Sequence, residues 1–267
     1  MWLNVSSIFI ATDRLQCMKK QVFCLLGLFC AWQASATDLR VAIWESAAPY
    51  NVKTESGWKG PCVDVYRAIE AIDPQLHFVL DDDPMPIRRI EYELSAGRRD
   101  IICGARKNAS REAAGMQFLK QGLHTTGYRL AVRAGDVVVV NNWDDVKKLG
   151  KAGKVLIMQG HAEVERLQQL GVILDSGTPT AEQNLIKLEA GRGRFFYHRD
   201  SFFKSGAYSP KNHPNIRLLP VILDPSPAYI AGGKMVPKEV MAQIDNAFNK
   251  LVRSGELNRI IKANALD

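Results

Sequence analysis

Asp100 to Phe118, DIICGARKNASREAAGMQF, is the stretch whose reading decides the fold. A short apolar run, Ile101 to Cys103, gives way to Gly104-Ala105 and then to three cations, Arg106, Lys107 and Arg111. The apolar run reads as a buried strand. A glycine at its end lets backbone approach a ligand closely, and cations just beyond can hold that ligand's anionic group. The stretch therefore reads as the floor of an anion-binding cleft.

Upstream, Pro86 predicts a helix start with Ile87, Ile90 and Leu94 facing inward, and Gly97 stops that helix. Pro61 to Ile72 is a second helix, with Cys62, Val65, Tyr66, Ile69 and Ile72 sharing one face, and Leu39 to Ile43 is a strand. With Asp100 to Cys103 as a further strand the pattern is βαβ, which predicts a buried parallel sheet. Arg129 to Arg133 is expected as a strand leading out, and Asn142 as the cap of a short helix through Leu149.

A second unit repeats the plan. It has strand Lys154 to Met158, the turn Gln159-Gly160, a helix carrying Val164, Leu167 and Leu170, and Gly171 as its stop. Strand Val172 to Leu174, a helix from Thr180 to Gly191 and strand Phe195 to Tyr197 follow; Pro220, Pro225 and Pro227 punctuate a return segment. A helix from Pro237 through Leu251, then Gly255 and a last turn with Leu257 and Ile260, closes the chain. Two consecutive α/β units predict two lobes, and the residues after 43, 103, 158 and 197 should face the cleft between them, because open α/β sheets bind ligands outside the carboxyl ends of their strands.

At the other end, Met18-Lys19-Lys20 precedes the apolar run Val22 to Trp32 and then Ala34-Ser35-Ala36. A basic start, a short apolar stretch and small residues two apart predict a signal peptide over 18–36, with the mature chain starting at Thr37. A membrane span would need about 20 apolar residues. Residues 1–17 read as an upstream start that is not native. Export places the protein in the periplasm, and 231 residues remain, enough for two lobes with cores of their own.

Removing 1–36 takes Lys+Arg from 35 to 32 and Asp+Glu from 28 to 27, leaving +5. That charge is spread along the chain without a dense basic stripe, so nucleic acid is not an expected partner. Three of the five cysteines leave as well. Cys62 and Cys103 form an even pair in an oxidising compartment, which points to a disulfide, with two buried thiols as the alternative. Neither a metal site nor a cofactor motif is read: there is no CxxC spacing, no phosphate loop and no Gly-x-Ser-x-Gly.

Six segments in order resemble bacterial periplasmic solute-binding proteins of family 3, the amino-acid type. They are LRVAIWESAAPY, GWKGPCVDVYRAIEA, ELSAGRRDIICGA, VLIMQGHAE, KLEAGRGRFFY and VPKEVMAQIDNAFNKLVRSGELNRI. The resemblance implies a type II periplasmic binding fold: lobe one over 37–126 and 226–267, lobe two over 127–225, and two crossings between lobes that close on the ligand. It implies a monomer that delivers a small carboxylate, such as an amino acid, to an inner-membrane ABC permease or a sensor.

For the site, the resemblance sets Arg111 on the arginine that pairs with a ligand carboxylate, with Asn108 where that family has threonine, and Arg106 and Lys107 as competitors. Trp44 and Glu45 fall where a ligand side chain is contacted. Gly104, Met158, His161 and Ala162 fall beside the turns that open on the cleft, and free N–H groups after Gly160 suit a carboxylate. Asp200 lies one residue beyond the expected partner of an amino group, with His198 just before it. The alternative is an enzyme of the same fold, a cyclohexadienyl dehydratase, in which Glu45 beside Trp44 would be the general acid.

Overall fold

The computed structural model describes residues 36–204 and 208–264. The segments read as an upstream start and a signal peptide lie outside the described residues, apart from Ala36. None of the described helices is long and apolar enough to cross a membrane.

The first half opens with β1 (Thr37–Val41), the hairpin β2 (Val52–Thr54) and β3 (Gly57–Lys59), α1 (Pro61–Ile72), β4 (Leu76–Leu80) and α2 (Ile87–Ser95). It continues with β5 (Ile101–Arg106), α3 (Ala109–Ala113), β6 (Gln117–Phe118) and the long β7 (His124–Arg133). The second half contains α4 (Trp143–Lys148), β8 (Val155–Met158), α5 (Val164–Gln169), β9 (Leu174–Thr178) and α6 (Ala181–Glu189). After it come β10 (Phe195–Arg199), α7 (Asp200–Lys204), β11 (Ile216–Leu218) and the long β12 (Leu223–Gly232), which leads back to α8 (Lys238–Ser254) and α9 (Glu256–Ala263).

The fold is mixed α/β. One sheet runs β4-β1-β5-β12-β7-β10-β8-β9, with β11 on β7 and β6 on β12. Its flanks are parallel trios, β4-β1-β5 and β10-β8-β9. The two ten-residue strands β7 and β12 lie antiparallel between them, and each carries the chain from one trio to the other. The parallel pairing expected of the first βαβ unit is present, β1 beside β5 and β4, and two antiparallel strands are added to it. Each βαβ unit gives parallel neighbours, but a chain that leaves one trio and returns must cross twice, and these crossings pair antiparallel.

The strands nearest the middle of the sheet are buried on both faces, Val155–Met158 and Phe195–Arg199 at every residue, whereas the outer β1 and β4 keep the alternation of half-exposed strands. Helices cover them with apolar stripes. α1 starts at Pro61 and buries Cys62, Val65, Tyr66 and Ile69; α8 buries Ile244, Phe248 and Leu251 and stops at Gly255. Each such fully buried side chain contributes about 1.5–3 kcal/mol relative to exposure.

Three local expectations shift. The strand expected at Val172–Leu174 forms at Leu174–Thr178, because Val172 N–H caps the preceding helix on Leu167 O after Gly171. The proline-punctuated return segment is largely strand β12, and Pro225 falls where its pairing with β7 is irregular, between Leu223 and Ser226. Arg129–Arg133 extends back to His124.

Candidate functional site

Cys62 and Cys103 form a disulfide, with Cα atoms 6.0 Å apart, that ties the first turn of α1 to β5. The residue after Cys103 breaks the ladder. Cys103 lies opposite Ile230 and Ala105 opposite Tyr229, so Gly104 is an extra, unpaired residue with φ +79°. A Cβ there would sit 3.3 Å from the Tyr50 ring. Glycine is required by conformation and by packing, and the bulge turns the Gly104 carbonyl toward Arg199 Nη2, 2.5 Å away.

The carboxyl ends of β1, β5, β8 and β10 meet at one small cavity. Trp44 follows β1, Gly104 and Arg106 end β5, His161 and Ala162 follow β8, and Arg199 ends β10; Arg111 from α3 and Tyr128 from β7 complete the wall. The cavity holds about 20 Å³, room for roughly one water. A groove of about 640 Å³ adjoins it through Arg111, His161 and Ala162.

The three guanidiniums have different surroundings. Arg111 is buried, and its Nε donates to Glu91 Oε1 at 2.9 Å, its Nη1 to Arg106 O at 2.7 Å and its Nη2 to Gly160 O at 3.4 Å. Burial holds its pKa below the usual guanidinium value despite the Glu91 charge. Arg106 pairs with Glu163 at 2.9 Å, donates to Asp224 O at 3.2 Å and lies over the Tyr128 ring. Arg199 is 5% exposed and lies over the rings of Trp44 and Tyr50 at 5.3 and 5.0 Å; besides Gly104 it donates to Tyr128 Oη at 3.3 Å. It has no carboxylate partner among the described residues.

Two imidazoles stay neutral here. Burial, then the charges of His198, Arg199, Arg111 and Arg106, hold His161 well below its ordinary pKa; burial and Arg199 do the same to His198. His161 Nδ1 accepts from Glu163 N–H at 3.2 Å, which assigns its proton to Nε2. Farther out, His124 accepts or donates at 2.7 Å to Tyr50 Oη, and burial and Arg199 lower it to about 4.

Six of the ten sequence candidates are brought together: Trp44, Gly104, Arg106, Arg111, His161 and Ala162. The other four are elsewhere. Lys107 pairs with Glu112 at 3.0 Å, and Met158 is wholly buried within β8. Glu45 is exposed, its carboxyl raised by partial burial and by Glu182. Asp200 pairs with Arg129 and with Lys204 at 3.1 Å. Asn108 caps α3 through Arg111 N–H and donates to Ala162 O at 2.9 Å, which links the segments after β5 and β8. Sequence reasoning missed Arg199 and Tyr128. Its attention at the end of β10 went to the carboxylate of Asp200, one residue too far along.

A larger concavity of about 780 Å³ lies by the amino ends of β8 and β10 and is rich in cations. Two of its arginines are engaged, Arg194 with Asp136 and Arg133 with the carbonyls of Leu188 and Gly193, and it reads as a solvated basic surface.

No protein-family model matches the sequence, and no curated protein matches it. Solved structures match its shape. An ancestral arginine-binding protein, solved with glutamine and with arginine, superposes with a TM-score of 0.70 at 18% identity, over 85% of this chain and 97% of that one. An amino acid ABC transporter substrate-binding protein from Streptococcus pneumoniae, bound to L-arginine, gives 0.69 at 21% identity, over 85% and 94%. An ancestral amino acid-binding protein described as a precursor of cyclohexadienyl dehydratase gives 0.66 at 16% identity, over 85% and 95%. The chain therefore has the two-lobed fold of the substrate-binding proteins of amino acid ABC transporters.

Proposed function

We propose that this chain is a periplasmic binding protein that captures a small carboxylate by lobe closure and delivers it to an ABC transporter. The observation that carries the reading is the convergence of Arg106, Arg111 and Arg199 on one cavity at the carboxyl ends of β1, β5, β8 and β10. Guanidinium forks suit carboxylates in geometry and in charge. Amino acids are the ligands named for the structural neighbours, and they set the size of molecule to screen first.

Closure is part of the proposal. A cavity of about 20 Å³ admits no amino acid, so the lobes, 37–126 with 226–267 and 127–225, must separate for entry. One crossing, β12, carries irregular backbone close to where the division falls, between Leu223 and Ser226. Gly127 lies in β7 against Ile222, and Asp224 in β12 has φ +46°, a conformation that costs of order 1–3 kcal/mol in a residue with a side chain. Hydrogen bonds from Trp143 Nε1 and from Tyr197 Oη, the latter at 2.7 Å, hold Asp224 in place.

The enzymatic reading rests on the raised carboxyl of Glu45. That residue is exposed and outside the cavity wall, so binding without chemistry is the better account. A thermal-shift screen of amino acids, oxo acids and short dicarboxylates, followed by mass spectrometry of the mixtures, tests it. Binding predicts a raised Tm with a few small carboxylates, all recovered unchanged. Turnover of prephenate or arogenate would replace transport with catalysis.

A further inference from the structure

The cavity's charges are uneven. Arg106 and Arg111 each have a resident carboxylate, Glu163 and Glu91, at 2.9 Å. Arg199, the most enclosed, has none among the described residues and is satisfied only by a carbonyl, a phenol and two aromatic faces. An unpaired buried charge is costly, and a site that retains one is arranged for an anion to arrive.

Apart from the Tyr128 hydroxyl, which accepts from Arg199, the hydrogen-bonding side chains of the wall share one polarity. Trp44 Nε1–H is buried and has no partner among the described residues. His161 presents Nε2–H, because Nδ1 is engaged. The guanidiniums only donate. The nearby carbonyls of Gly104, Arg106 and Gly160 already accept from Arg199 and Arg111. The carboxylate that follows Arg199, Asp200, is taken by Arg129 and Lys204. Carboxylate oxygens would meet donors throughout this cavity, whereas an ammonium would meet further donors and an unpaired guanidinium.

We propose, on the basis of the binding reading above, that the ligand is a small carboxylate without an ammonium group, such as a 2-oxo acid or dicarboxylate, and that Arg199 holds its carboxylate with Trp44 Nε1–H as a further donor. Zwitterionic and cationic amino acids are rejected by like charge, not by size. The site thus discriminates at the group next to the carboxylate.

Titration calorimetry on the mature chain with matched pairs tests this: 2-oxoglutarate and L-glutamate, pyruvate and L-alanine, phenylpyruvate and L-phenylalanine, together with succinate and L-arginine. An oxo acid or succinate is expected to bind, and an oxo acid about 100-fold or more tighter than its amino partner, the size of effect expected when a buried charge lacks its counterpart. Arg199→Met should weaken that binding by about 100-fold, and Arg199→Gln, which keeps polar donors but not the charge, by at least 10-fold. Circular dichroism confirms that both variants fold. An amino acid that binds more tightly than its oxo partner, or affinity that survives both substitutions within about 3-fold, overturns the inference and leaves the binding function standing. Failure of every acid in the series to bind overturns the binding reading as well.

Discussion

The two ends of the cavity treat their arginines in opposite ways. At the end of β5, Arg106 and Arg111 are tied to Glu163 and Glu91, and a disulfide one residue before the bulge fixes the strand to α1. At the end of β10, Arg199 has aromatic faces, a carbonyl and a phenol but no countercharge among the described residues, and the carboxylate next to it in sequence turns to Arg129. One end is neutralised and stapled, so its charges serve structure first. The other carries charge that the fold itself does not satisfy, and a cation left in that condition is available to a ligand.

The strongest way to break the comparison is to cut the staple. Replacing Cys62 and Cys103 by serine should lower stability by about 4 kcal/mol, from the entropy of a loop spanning 41 residues, read by urea unfolding. Loss of under 1 kcal/mol would show that β5 is held without it. Next in size is an opposition of signs. Arg111→Met leaves Glu91 without its main cation and should cost about 2–3 kcal/mol, while Arg199→Met removes an unpaired charge and should leave the ligand-free protein equally or more stable. If both substitutions destabilise alike, the two ends do not differ as described.

Acid sharpens the same contrast. His124 has a folded pKa of about 4 against an ordinary 6.5, so between these values the unfolded chain binds the proton that the folded chain refuses. Stability should be flat above pH 6.5 and fall as pH drops toward 4, by up to about 3 kcal/mol for this residue, with His161 and His198 adding in the same direction. A melting temperature unchanged between pH 7 and 5 would contradict this burial. The smallest effect concerns Asn108, whose side chain both caps α3 and reaches Ala162 O. Asn108→Ala should cost about 1 kcal/mol, read as a change in urea midpoint.

The helices were legible because their signals are local. Pro61 and the apolar spacing through Ile69 place α1, and Gly97 and Gly255 mark the stops of α2 and α8. The α/β alternation and the strand ends that line the cavity followed from the same signals. What sequence could not show is long-range. The antiparallel placing of β12 beside β5 depends on partners more than a hundred residues away. Arg199 was hidden for a related reason: its meaning comes from Gly104 and Trp44, in segments far away in the chain, and a carboxylate beside it made a more familiar reading available.

A crystal structure of residues 37–267 with the best-bound acid from the titration series is the most direct test. The ligand carboxylate is expected within about 3.2 Å of the Arg199 guanidinium, enclosed by Trp44, Arg106 and Arg111. A carboxylate held elsewhere, with Arg199 still contacting only Gly104, Tyr128 and its two aromatic neighbours, would contradict it.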